Sequence, residues 1–88
     1  MNINIEQLKK KIIYRSNYRG TKEMDVLLGS FTEKYINKLN EEELIYLSDL
    51  MDMDDENLYK FNQGIKTTIK IEINTVSDLF RNFVFKKE

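Results

Sequence analysis

Between Met24 and Leu39 the large apolar side chains fall at Met24, Leu28, Phe31, Tyr35 and Leu39. Steps of four and three residues match the 3.6-residue turn of an α-helix, so all five lie on one stripe, with Leu27 and Ile36 beside it. An isolated helix of this length is marginal in water, and such a stripe must be buried against other elements. Glu23 and Asp25 stand in the first turn, where the helix dipole favours acids. The spacing therefore predicts a helix from Thr21 to about Leu39. Gly29 lies inside it at a cost of about 1 kcal/mol relative to Ala. Close approach of a neighbouring helix and simple tolerance both account for it.

The same signals recur along the chain. Asn4 can cap a helix running to about Arg15, with Gln7 as the capping-box partner and Ile5, Leu8 and Ile12 as its apolar face. Ser16-Asn17-Tyr18-Arg19-Gly20 then makes a turn, because Ser and Asn compete for backbone hydrogen bonds and Gly permits unusual backbone angles. Asn40 and Glu43 form a second capping box ahead of Leu44, Leu47, Leu50 and Met51, which predicts a helix to about Met53. Asp54 or Asp55 caps a short helix carrying Leu58, Tyr59 and Phe61, ended by Gly64. Thr75 with Asp78, followed by Val76, Leu79, Phe80 and Phe83, predicts a last helix over 75–84, and Lys86-Lys87-Glu88 is expected to fray. Connections this short set consecutive helices side by side. Met24, Leu28, Phe31 and Tyr35 are expected to pack against Leu44, Leu47, Leu58 and Phe61.

One stretch breaks the pattern. Ile65, Thr67, Ile69, Ile71 and Ile73 alternate with Lys66, Thr68, Lys70 and Glu72, the period of a strand. A lone strand has no partner in a helical domain, so 65–74 is read as an extended connector whose Ile side lies across the bundle. Pairing of this stretch between two molecules is the other reading. The expected architecture is all-α: one small domain of about five short helices over residues 1–88, with a core at 4–64, the connector, and the last helix at 75–84. With 88 residues there is no room for a second domain, and 41% hydrophobic content with 14 basic against 15 acidic residues is not that of a disordered chain.

Composition also narrows function. The chain has no His and no Cys, so it cannot build a zinc finger, a Ser-His-Asp or Cys-His catalytic group, or a disulfide. Neither a catalytic residue nor a metal ligand set is expected, and the reading is of a protein that is not an enzyme. No apolar run approaches a membrane span, and Met1 to Lys10 has neither a secretory nor a transit pattern, so the chain is expected in the cytoplasm. The charge is segregated: Lys9, Lys10, Lys11, Arg15, Arg19 and Lys22 open the chain, whereas Leu39 to Tyr59 is acidic without a basic residue. Complementary helix faces and partner steering both explain this. A nucleic-acid-binding module is opposed by a net charge of -1 and a pI of about 5.5.

Tyr18-Arg19-Gly20-Thr21-Lys22-Glu23-Met24-Asp25 concentrates aromatic, charged and Gly residues at one junction. The plain reading is a turn with a helix cap. The functional reading is a recognition patch on which Arg19 supplies a fork donor and Glu23 an acceptor, both at the surface, where replacement costs at most about 1 kcal/mol. Arg19-Gly20-x-x-Glu23, extended through Met24-Asp25-Val26-Leu27-Leu28-Gly29, resembles the motif of the succinate dehydrogenase flavinylation factors, the bacterial SdhE and mitochondrial assembly factor 2 proteins. Asp54-Asp55-Glu56-Asn57-Leu58-Tyr59-Lys60-Phe61 resembles a second segment of that family, and the likeness runs from about Ile12 to Gly64. Thr21, Glu56 and Phe61 depart from the common pattern. The resemblance implies a monomeric helical assembly factor that binds the flavoprotein subunit of succinate dehydrogenase, and that of fumarate reductase where present, and promotes covalent attachment of FAD. The partner-binding residues it implies are Tyr18, Arg19, Gly20, Lys22, Glu23 and Asp25. No tightly bound cofactor is expected, since the FAD acted upon belongs to the client. Related proteins labelled antitoxins supply a second reading, a protein-binding module with another client.

Overall fold

The computed structural model of the chain describes residues 4–84, which form five helices: α1 Ile5–Asn17, α2 Lys22–Tyr35, α3 Glu41–Met51, α4 Asp55–Gln63 and α5 Thr75–Arg81. The fold is all-α, as the periodicities require. Each helix starts at a side-chain cap that satisfies backbone N–H groups otherwise left without partners. Asn4 accepts from the Gln7 amide, Thr21 from Met24, and Asp54 from Asn57. Asn40 and Glu43 make the full reciprocal box that their spacing predicts. Gly64 ends α4 in the left-handed conformation, φ 75°, which a side chain would oppose.

Several boundaries differ from expectation: α1 runs on through Ser16 and Asn17, residues expected in the turn, and α3 ends at Met51 instead of Met53. α2 stops at Tyr35 instead of Leu39, because Asn40 must be extended to cap α3 and the chain uses 36–38 as a turn, closed by the Lys38 amide on the Tyr35 carbonyl at 2.8 Å. Ile36 and Leu39 nevertheless remain on the core. At the other end Asn74, not Thr75, caps α5, in a box with Ser77, and α5 closes at Arg81 instead of Val84. The fraying expected of residues 86–88 lies outside the described residues.

α1 packs against α2 and α3, and α5 packs against α3 and α4. The predicted contacts meet in one core: Met24, Leu28, Phe31, Leu44, Leu47, Leu58 and Phe61 are buried, with Tyr35 half-buried against them. The last helix contributes more than periodicity suggested. Phe80 is fully buried, its ring edge-on to Phe31 at 5.1 Å and stacked with Phe61 at 6.5 Å, both favourable aromatic geometries. Asn62 of α4 donates to the carbonyls of Phe80 and Phe83 at 2.8 and 2.9 Å, closing the C-terminal end of α5. A Cβ at Gly29 would stand 2.7 Å from Oδ1 of Asn17, an exposed side chain at the end of α1 that can turn aside, so simple tolerance still accounts for this glycine.

The connector is the main correction. Residues 65–74 are a connector without a strand, as expected, but their Ile row does not lie across the bundle. Ile71 alone of that row packs on the core, while Ile65, Ile69 and Ile73 are about half exposed or more. A bend at Thr68–Ile69 breaks the alternation. It is held by buried Asn57, whose side-chain oxygen accepts from the Thr68 amide at 2.8 Å and its hydroxyl at 3.1 Å.

Candidate functional site

Arg19 lies in the turn between α1 and α2, and its side chain is turned inward, 9% exposed. Nε donates to Asp55 Oδ1 at 2.8 Å, while the two terminal nitrogens donate to the carbonyls of Met51 at 2.8 Å and Met53 at 2.6 Å. This overturns the expectation of a fork donor free at the surface. The physical reason lies in α3, which ends at Met51 with no basic residue in its last turn. Its terminal carbonyls and the negative end of its dipole attract a cation. The planar guanidinium of Arg19 serves two carbonyls and a carboxylate at once, which a Lys ammonium could not match in geometry. One turn earlier on α1, Arg15 pairs with Asp52, the C-cap of α3. The charge segregation of the sequence thus folds back on itself here, as complementary faces.

Gly20 is closely approached by the Asp55 side chain. Its amide donates to Asp55 Oδ2 at 2.7 Å, and a Cβ at Gly20 would stand 2.8 Å from that oxygen. Gly20 does not adopt positive φ, which among the described residues occurs at Gly64 alone. Asp25, half-buried, accepts from the Arg19 amide. Asp55 and Asp25 therefore hold the turn from two sides. Asp54 does the capping work alone: hydrogen bonds from the Asn57 side chain and then its amide hold its carboxyl below the usual carboxylate range. That stabilisation is present above the ordinary Asp pKa and is lost as the pH falls through the lowered one.

Around this interior clamp the remaining candidates face outward. Tyr18 is 70% exposed and its ring lies 4.6 Å from that of Tyr14, itself 64% exposed. Lys22 and Glu23 are exposed on the first turn of α2 but serve different grooves. Lys22, with Asp25, Ile13 and Gly29, lines one of about 600 Å³ between α1 and α2. Glu23 lines one of about 380 Å³ with Tyr59 of α4 and Arg81 of α5.

A family model described as flavinator of succinate dehydrogenase matches residues 10–84. The chain belongs to this family. It is 40% identical over 57 residues to mitochondrial succinate dehydrogenase assembly factor 2 of Dictyostelium discoideum, covering 65% of this chain and 40% of that protein. With the Saccharomyces cerevisiae assembly factor 2 (strain YJM789) the identity is 38% over 65 residues, covering 73% and 40% respectively. With the FAD assembly factor SdhE of Acetobacter pasteurianus it is 33% over 55 residues, covering 62% and 50%. The chain spans about two-fifths to half of the length of these relatives. No solved structure matches it.

The family match runs through the connector and α5, beyond Gly64, where the resemblance read from motifs stops. Within it the six candidates divide: Arg19, Gly20 and Asp25 build the turn, whereas Tyr18, Lys22 and Glu23 are presented by it. The six candidates leave out Tyr14 and Arg81, and also Asp55 and Tyr59, although the second segment of likeness contains both. For Asp55 a signal existed, since one helix needs one N-cap and the second acid of Asp54-Asp55 had no task. Nothing in the sequence ties Tyr59 and Arg81 to Glu23, because their nearness to it exists only once α2, α4 and α5 are assembled. No helix among the described residues is long and apolar enough to cross a membrane.

Proposed function

We propose that this chain is a cytoplasmic, monomeric assembly factor that binds the flavoprotein subunit of succinate dehydrogenase and promotes covalent attachment of FAD to it. The observation that carries the reading is the family match across residues 10–84, within which the clamped turn and its exposed neighbours lie. A chain without His or Cys is poorly equipped for nucleophilic or proton-transfer work of its own. It acts instead by holding the client in an arrangement in which the client's own groups meet the flavin, a contribution of position and population. Exposed Tyr18 supplies an amphipathic anchor, and Lys22 and Glu23 supply charges of opposite sign for client groups. The FAD stays with the client, since no glycine-rich dinucleotide fingerprint occurs in the sequence. The flavoprotein subunit of fumarate reductase is a second client by the same chemistry.

The test is to express the flavoprotein subunit in cells lacking this protein and read covalent flavin by in-gel fluorescence. Supplying the wild-type chain is expected to raise the signal several-fold. Glu23→Ala is expected to fold normally, because the side chain is exposed, yet to raise it little. Equal fluorescence with and without the wild-type chain would remove the proposal.

A further inference from the structure

Asp55 is the first residue of α4, a place where any acid is favoured by the helix dipole, but both of its oxygens leave the helix. Oδ1 takes the Arg19 guanidinium and Oδ2 the Gly20 amide, donors on adjacent residues of a turn more than thirty positions away in sequence. Capping of α4 is already done by Asp54. A carboxylate is the side chain that offers two coplanar acceptors to two neighbouring donors. An Asn in its place would present one acceptor and turn an NH₂ toward the other donor. The missing Cβ of Gly20 belongs to the same arrangement, since a methyl group there would meet Oδ2.

From this geometry we infer that Asp55 is a positioning residue for partner binding, acting through the Arg19–Gly20 turn without touching the partner. Tyr18 immediately precedes the clamped pair and Glu23 follows three residues after Gly20, so the carboxylate sets the spacing between the Tyr14–Tyr18 ring pair and the groove beside Glu23. This rests on the reading of the chain as a binder of the flavoprotein subunit. Two adjacent acids then have separable roles: Asp54 stabilises α4, and Asp55 sets the recognition turn.

Four proteins test it: wild type, Asp54→Ala, Asp55→Asn and Asp55→Glu. Each is followed by thermal melting, by the ¹H–¹⁵N resonance of the Gly20 amide, and by calorimetric affinity for the flavoprotein subunit. Asp54→Ala is expected to melt lower with the Gly20 resonance and the affinity unchanged. Asp55→Asn is expected to stay folded, move the Gly20 resonance upfield and bind about tenfold more weakly or worse, since small misplacements of contact groups are costly. Asp55→Glu, which restores two acceptors on a longer arm, is expected to recover part of both. The inference is overturned if Asp55→Asn moves the Gly20 resonance yet binds like wild type, if it leaves that resonance in place, or if Asp54→Ala loses affinity equally. Failure of wild type to bind the subunit overturns the client assignment, whereas the Gly20 resonance decides separately whether Asp55 holds the turn.

Discussion

The α1–α2 turn and the 65–74 connector are both short irregular segments laid on the same bundle, yet they are held in opposite ways. The turn is tied at Arg19, Gly20 and Asp25 by charge-assisted hydrogen bonds to side chains and to the end of α3. The connector, although far richer in apolar residues, is fastened by neutral hydrogen bonds, from Thr68 to Asn57, from buried Ser77 to the Glu72 carbonyl and from the Ile65 amide to the Lys60 carbonyl, and by Ile71 against the core. Apolar content did not decide which segment is anchored. The turn answers orphan carbonyls and a dipole at the end of α3, a demand that must be met, whereas Val76 and Phe80 of α5 fill the core and only Ile71 of the Ile row packs against it.

Substitutions can break or sharpen this contrast. The largest effect is expected in the core beneath both segments: Phe31→Ala removes a fully buried ring in contact with Phe80, Phe83 and Tyr35 and should cost about 3–5 kcal/mol. Denaturant titration would detect it, and a wild-type midpoint would mean that the core has been misassigned. Next comes Arg19→Ala, which leaves Asp55 Oδ1 and two carbonyls without the guanidinium and should cost on the order of 3 kcal/mol. That is well above the small loss expected of a surface arginine, and a melt within a degree or two of wild type would erase the contrast drawn here.

The connector should respond more weakly. Asn57→Ala removes the acceptor for Thr68 and should cost about 1–3 kcal/mol, with faster amide exchange at Thr68 as its specific sign. Smallest of all, Ile69→Thr at the exposed bend should change stability by no more than about 0.5 kcal/mol. A larger loss by thermal melting would show that the Ile row is covered in solution, which would favour pairing between molecules.

Much of this protein was legible one helix at a time. Asn40 with Glu43, the Asp54-Asp55 pair, and Gly64 marked helix ends, and the Met24–Phe31 stripe marked the inner face of α2, because caps and periodicity are interactions within a few residues of one another. The motif at Arg19-Gly20-x-x-Glu23 marked where to look. What the tertiary structure alone decided is which of its residues face in. Arg19 is buried because α3 ends beside it, Gly20 lies against the Asp55 side chain because α4 starts there, and Glu23 shares a groove with Tyr59 and Arg81 because α4 and α5 border α2 at that point. The exposure of the connector's Ile row was decided in the same way. A period of two states which side chains alternate, but whether a face is buried depends on what surface remains open when the chain arrives, and that is a property of the assembled helices.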